Sequence, residues 1–237
     1  MPFDVDGIRA YYHATLPFYD AALADRGDLP FWESIAKRWG AKHILELGCG
    51  TGRVTEVLAR HADVTAVDLL IELLDRASER AGHGRFVAAD LRRFAFRRPF
   101  DLIILANDPM AHLTSIADRR SAMRLIREHL GPGGHIVVEG LFRPSDVSSR
   151  QIRENFSVEE TWRREGEEPI WKVMYRYRTG SSINEVATTV RSWTRAEIDA
   201  LAQAGLQVES LCGDFDEGPF RDSSNRVVFV AKSVQVT

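Results

Sequence analysis

Residues 44–54 read ILELGCGTGRV, a short apolar run followed by Gly48, Gly50 and Gly52 with Cys49 and Thr51 between them. A glycine-dense loop between a strand and a helix can turn sharply and offer backbone N–H groups and the positive helix end to a ligand. It also keeps Cβ atoms out of the ligand's way. Dinucleotide enzymes space such glycines G-x-G-x-x-G and place an acid about 20 residues further on. Here the third glycine arrives one residue early, as G-x-G-x-G. Two acids extend the pattern. Asp68 closes the next apolar run, 20 residues after Gly48, and Asp90 closes the one after that. At the carboxyl end of a parallel strand, Asp68 suits ribose hydroxyls and Asp90 an adenine amino group. The plainer role of each is to cap the helix that follows.

The elements that must position these residues follow from the hydrophobic rhythm. Strand-like runs at 43–47, 64–67, 85–88, 100–105 and 135–139 alternate with helical segments at 52–61, 70–81 and 117–130. Continuous apolar strands separated by helices require a parallel sheet covered on both faces, with right-handed crossovers. Before them, residues 5–25 space their apolar positions as a helix that Pro17 must break, and a second helix starts at Pro30 and stops at Gly40. After them the period changes to two. Trp171, Val173, Tyr175 and Tyr177 fall on one face, with Lys172, Met174, Arg176 and Arg178 on the other. Two or three half-buried antiparallel strands are expected over 156–193. A helix over 194–204 carries a capping box, Thr194 with Glu197, and Gly205 ends it. Strands at 206–212 and 226–231 finish the chain.

Bulk properties exclude several function classes. A chain of 237 residues with 44% apolar content fits one α/β domain. A net charge of −3 draws it onto neither nucleic acid nor an anionic membrane, and Arg92, Arg93, Arg97 and Arg98 read as a solvated turn. Cys49 and Cys212 have no metal-ligand spacing, so no metal site and a reduced, cytoplasmic compartment are expected. No apolar run reaches the roughly 20 residues of a membrane span, and the first residues lack the signature of a signal peptide.

The succession ILELGCGTGRV, VTAVDLL, FVAADLRRF, FDLIILAND and LGPGGHIVVE resembles the class I S-adenosylmethionine-dependent methyltransferases over at least residues 40–140. The resemblance implies a Rossmann-like, doubly wound, seven-stranded sheet whose last strand is antiparallel. N-terminal helices (1–40) would cap the cofactor core (41–140), and the antiparallel insertion (156–193) after the fifth strand and the tail (194–237) would complete a single domain. It also implies S-adenosylmethionine as cofactor and S-adenosylhomocysteine as product. Gly48, Gly50 and Gly52 would face the methionine end, with Cys49 and Arg53 beside them and Glu46 holding the amino group. Asp68 and Leu69 would take the ribose, Asp90 and Leu91 the adenine, and Tyr19 and Asn107 would complete the contacts. The tail from Trp193 and the stretch ANDPMAHL are similar to small-molecule methyltransferases acting on sugar amines and natural products. Asn107-Asp108-Pro109-Met110 departs at two of four positions from the Asn-Pro-Pro-aromatic motif of amide and base methylating enzymes.

The implied reaction needs little covalent work from the protein. An N or O nucleophile held in line with the methyl group, in a site closed to water, carries most of the effect. A base assists where the acceptor has a proton to lose. His112 is the candidate, with Asp108 second; the plain reading of His112 is a helix cap. Tyr11, Trp162, Trp171, Tyr175 and Tyr177 would wall an acceptor pocket, or form core or a homodimer interface. The expected partner is a small methyl acceptor. Two other functions fit parts of the pattern, a non-catalytic binding or dimerisation module and a nicotinamide oxidoreductase. The five-residue glycine motif and Asp90 disfavour the latter.

Overall fold

A computed structural model describes residues 4–24, 26–144 and 146–234, with 147–153 as backbone only, so the ends of the expected domain, 1–3 and 235–237, lie outside it. Helices α1 (Val5–Thr15), α2 (Tyr19–Leu23) and α3 (Leu29–Arg38) come first. Pro17 lies in the break between α1 and α2, and Pro30 sits in the first turn of α3. The alternating part follows as β1 (His43–Leu47), α4 (Arg53–Leu58), β2 (Asp63–Asp68), α5 (Ile71–Ala81), β3 (Arg85–Ala88), β4 (Phe100–Leu105), α6 (Ile116–His129) and β5 (Leu130–Leu141). Then come β6 (Val147–Arg153), β7 (Phe156–Arg164), β8 (Ile170–Thr179), β9 (Ser182–Arg191), α7 (Arg195–Asp199), β10 (Leu206–Cys212) and β11 (Arg226–Ser233).

Seven strands form one sheet in the order β10-β11-β5-β4-β1-β2-β3. β11 runs antiparallel to both its neighbours, and the strands from β5 to β3 are parallel. Alternate residues feed two separate cores. Leu45, Ile103, Ile136 and Phe229 pack with Met123 and Ile126 of α6, whereas Ile44, Leu102, Val137 and Val228 pack with Trp32, Leu58 and Leu74 of α3, α4 and α5. Burial on both faces is why these strands read as unbroken apolar runs. The chain leaves β1 for β2 on one side and returns to β4 on the other. That reversal opens a crevice at the carboxyl ends of β1 and β4.

The insertion is a four-stranded antiparallel meander, β6-β7-β8-β9, and begins at residue 147 rather than 156. VSSRQIR has too few apolar residues to announce a strand. The aromatic stripe of β8 turns inward. Val173 and Val190 pack on Ala111, and Tyr177 packs with Phe18 and Ala22, so this sheet lies as a lid across α1, α2 and residues 109–112. On the outer face Arg176 bridges Glu159 and Glu185. The expected helix over 194–204 keeps its capping box but tightens to a 3₁₀ turn at Ala200–Ala204, which Gly205 stops at φ +76°.

Candidate active site

The glycine loop is held by its own backbone and one acid. The amides of Gly48 and Cys49 both donate to the Val67 carbonyl, and Gly50 N–H donates to Asp68 Oδ2 at 2.8 Å. Asp68 Oδ1 accepts from Leu70 N–H at 3.0 Å. Gly48, Gly50 and Gly52 all have positive φ, a conformation strained for any residue with a Cβ. A Cβ at Gly48 would lie 2.3 Å from Pro109 Cβ, and one at Gly50 would lie 2.9 Å from the Tyr19 hydroxyl. At Gly52 it would meet Ala77 Cα at 2.8 Å. Gly52 therefore gives clearance to α5. Gly48 and Gly50 let Pro109 and Tyr19 close onto the loop.

Several residues expected at the cofactor sit beneath the loop instead. Glu46 is 1% exposed and accepts from the Thr55 hydroxyl at 2.5 Å. Burial pushes its carboxyl up to about 8, against the opposing pull of Thr55 and Arg53. Cys49 is buried in the core below, and burial raises its thiol. Arg53 spends both terminal nitrogens on Asp28, each at 2.7 Å. A strand-to-helix turn alternates its sides, so these three side chains pack under the loop, where Glu46 could act on an amino group only through the loop or a water.

The cleft opens where the sheet reverses. It is lined by Ile8, Tyr12, Tyr19, Gly48, Asp68, Leu69, Asp90, Leu91, Asn107, Pro109, His112 and Leu113, among others. Asp68 and Asp90 thus share one wall, at the ends of neighbouring strands. Burial raises the Asp68 carboxyl, and its backbone hydrogen bonds only partly offset this. At Asp90 burial also raises, but hydrogen bonds and charge from Arg92 outweigh it and hold the carboxyl below its usual range. Arg92 Nη2 sits 2.6 Å from Asp90 and Nη1 3.4 Å from Asp118, so this arginine is not part of a solvated turn.

On the other wall, His112 lies in a 3₁₀ turn, Pro109–His112. Its Nε2 is 3.0 Å from the Tyr12 hydroxyl, its Nδ1 is buried without a partner, and burial lowers its pKa to about 4. Tyr11 packs behind it, with ring centroids 5.9 Å from His112 and 5.7 Å from Tyr175. Tyr11 and Tyr175 form a second layer rather than the cleft wall. Trp162, Trp171 and Tyr177 lie further out: the indoles bond Glu160 and Ser192, and Tyr177 stacks on Phe18 at 4.9 Å.

Asp108 points away from the cleft. At φ +47°, it accepts from the Leu141 amide at 2.7 Å and the Trp193 indole at 3.4 Å. Burial pushes it up to about 7, with Arg119 pulling the other way. Sequence reasoning missed Arg119, although a signal was present. Arg119 occupies the apolar stripe of α6 with Ala122, Met123 and Ile126, and is 3% exposed. It pairs with Glu197 at 3.0 Å, covers the Trp193 ring at 4.2 Å and donates to the Met110 carbonyl. Arg26 and Glu139, also missed, pair with each other and both bond Asn107 of the cleft wall. Among the described residues no group of acids, histidines and cysteines could hold a metal, and no helix is long and apolar enough to cross a membrane.

Residues 44–134 match the family model described as a methyltransferase domain. Nodulation protein S of Rhizobium tropici is 37% identical over 97 residues, which are 39% of this chain and 40% of that protein. The dTDP-4-amino-2,3,4,6-tetradeoxy-D-glucose N,N-dimethyltransferase of Saccharopolyspora spinosa is 30% identical over 105 residues, 44% of this chain and 42% of that one. The matched stretch spans less than half the length of these curated relatives. Among solved structures, SAM-bound CalS10, an amino pentose methyltransferase from Micromonospora echinaspora, superposes with a TM-score of 0.76 at 26% identity, over 91% of this chain and 96% of that one. CcbJ methyltransferase from Streptomyces caelestis shares the fold, with a TM-score of 0.78 at 22% identity over 90% and 92%.

Proposed function

From the premise that residues 44–134 are a methyltransferase domain, we propose that this chain moves a methyl group from S-adenosylmethionine to a nitrogen of a small molecule. One observation carries the reading. The cleft at the sheet's reversal gathers Gly48, Asp68 and Asp90 on one wall and Tyr12, Tyr19 and His112 on the other. Their chemistry fits the cofactor. Two carboxylates at adjacent strand ends suit ribose hydroxyls and an adenine amino group, and Leu69, Leu91 and Leu113 give the base an apolar bed. Glu46, lying under the loop, would act on the amino group from behind it. When bound, S-adenosylmethionine supplies a methyl on a positively charged sulfur, a good leaving group.

The chain's own residues then bind, orient and exclude water. The lid, α1 and α2 close the site, which strengthens every polar contact inside it. His112 is neutral at pH 7 because burial lowers it to about 4. An imidazole that weakly basic orients an amine through a hydrogen bond; it does not store the proton. Tyr12 fixes one ring nitrogen, Nε2, and Nδ1 is buried without a partner. A nitrogen acceptor agrees with the amino-sugar names among the relatives. Two free cysteines agree with a cytoplasmic setting.

Transfer of labelled methyl from S-adenosylmethionine to a panel of amines, amino sugars and phenols tests this. Turnover is expected with amines. Tight cofactor binding without turnover across the panel would make the chain a binding module, and NAD binding without S-adenosylmethionine binding would make it an oxidoreductase. Asp68→Ala should weaken cofactor binding by roughly 1.5–3 kcal/mol through lost charge-assisted hydrogen bonds.

A further inference from the structure

Neither Arg119 nor Arg191 is among the residues lining the cleft, yet both hold the stretch of chain that brings His112 into it. Arg119 of α6 donates from Nη1 to the Met110 carbonyl at 3.0 Å, inside the 3₁₀ turn. Arg191, the last residue of β9, donates from its own Nη1 to the Thr114 carbonyl at 3.3 Å, just past that turn. His112 lies midway in sequence between the two held carbonyls. Both guanidiniums lean on one carboxylate: Glu197 Oε1 of α7 is 3.0 Å from Arg119 Nε and 3.6 Å from Arg191 Nε. A third hold acts at the start of the turn, where the Leu141 amide and the Trp193 indole fix Asp108 at φ +47°. Left-handed backbone at a residue with a Cβ persists where its surroundings impose it. The lid shares these contacts. Arg191 Nη1 also pairs with Glu168 Oε2 at 2.8 Å, in the connection from β7 to β8, and Val173 and Val190 rest on Ala111 of the turn.

We propose that Arg119 and Arg191 are positioning residues for the methyl acceptor. Joined through Glu197, they bracket the turn bearing His112 and tie the place of its imidazole in the cleft to the seating of the lid. The inference rests on the reading above, in which His112 orients an amine, and adds to it what holds His112 there. A guanidinium suits the task. Arg119 divides Nη1 and Nε between a carbonyl and a carboxylate, a fork that a single ammonium does not offer. Because neither arginine lines the cleft, any effect on the acceptor must pass through the turn.

Arg191→Met is the variant of choice, since it leaves the Arg119–Glu197 pair standing. In ring-nitrogen NMR spectra of the full chain it should shift the signals of His112, assigned by their loss in His112→Asn, and leave those of His129 in place. His129 reports general loosening, because the Leu125 carbonyl and the Phe96 amide fix its ring at the end of α6. Methyl-transfer kinetics use the amine that wild type turns over fastest in the panel above. Arg191→Met should lower kcat/KM for that amine roughly tenfold, less than the hundredfold a misplacement of about 1 Å can cost. KM for S-adenosylmethionine should stay within about twofold of wild type. In a His112→Asn background the same change should have no further effect, because it acts through His112. Glu168→Gln, which loosens only the outer side of Arg191, serves if Arg191→Met does not fold, and should move the same signals by less. Unmoved His112 signals, equal shifts at His112 and His129, or an undiminished loss in the His112→Asn background would overturn the bracket. Transfer by wild type to no amine at all would instead sink the acceptor reading, while the spectra still decide the bracket.

Discussion

The two walls of the cleft are made of different material. On the glycine-loop wall the working groups are backbone amides and single carboxylates at strand ends, and their partners lie near in sequence: Asp68 bonds Gly50 and Leu70, and Asp90 bonds Arg92. The lid wall is backed by side chains whose partners lie far away. Asp108 meets Trp193, 85 residues on, Arg119 meets Glu197, and Arg191 at the end of β9 reaches the Thr114 carbonyl. The first wall joins the ends of neighbouring strands, and its contacts span at most 18 residues. The second is assembled only once the lid, α6 and α7 have docked, so it should be the more fragile of the two.

The sharpest way to break that contrast is to remove Arg119. Its pair with Glu197 has side chains only 3% and 13% exposed. Breaking a buried pair by removing one partner costs about 3–5 kcal/mol, since the remaining charge is left uncompensated. Arg191, 3.6 Å from the same carboxylate, moderates this and sets the expectation at the lower end of that range. Arg119→Met should lower unfolding free energy by about 3 kcal/mol in urea denaturation. S-adenosylhomocysteine affinity of the folded fraction should stay within twofold of wild type. A parallel loss of affinity would show that the two walls are one unit.

The same contrast explains what the sequence disclosed. The alternation of strands and helices and the positions of Asp68 and Asp90 follow from apolar runs and glycines, short-range signals, whereas the seven-stranded sheet with an antiparallel last strand was implied by the family resemblance. Which loop side chains face the ligand was not legible, because Glu46, Cys49 and Arg53 differ from Gly48 only in which side of a tight turn they leave. The surroundings of Asp108 were not legible for a related reason. Its left-handed backbone sends the carboxylate toward Leu141 and Trp193, and no neighbour in sequence reports that. Strand β6 was missed because VSSRQIR has too few apolar residues to announce a strand. Arg119 could have been found, as a charge in the apolar stripe of an amphipathic helix demands a buried partner.

Acid titration sharpens the comparison on the loop wall. Glu46, normally near 4.5, is pushed up to about 8 by burial. A carboxyl whose folded pKa exceeds its unfolded one binds its proton more tightly in the folded state. Its contribution is complete below pH 4.5 and is lost as pH rises toward 8. Asp68 and Asp108, the latter at about 7, act with the same sign, whereas His112 at about 4 opposes only below 6.5. One such group changes stability by at most about 1.4 kcal/mol per pH unit. Glu46→Gln, which mimics the protonated acid beside Thr55, should make the fall in Tm between pH 6 and pH 8 shallower. An unchanged slope would place the titration elsewhere, with Asp68 or Asp108.

The smallest effect tests where the lid wall stops. Thr194 caps α7, its Oγ1 accepting from the Glu197 amide at 3.2 Å while Glu197 Oε2 accepts the Thr194 N–H at 3.0 Å. The other oxygen of that same glutamate faces Arg119 and Arg191. Glu197 is thus shared between a local helix cap and the long-range charge cluster. If the cap is only local, Thr194→Ala costs about 1 kcal/mol, the usual worth of an N-cap. Freed from Thr194, the carboxylate can turn further toward the two arginines, which pulls the cost below that figure. Urea denaturation of Thr194→Ala, Arg119→Met and the double variant separates the cases. A single cost near 1 kcal/mol with additive effects would mark the cap as independent, while coupling of more than about 0.5 kcal/mol would make α7 part of the same cooperative hub.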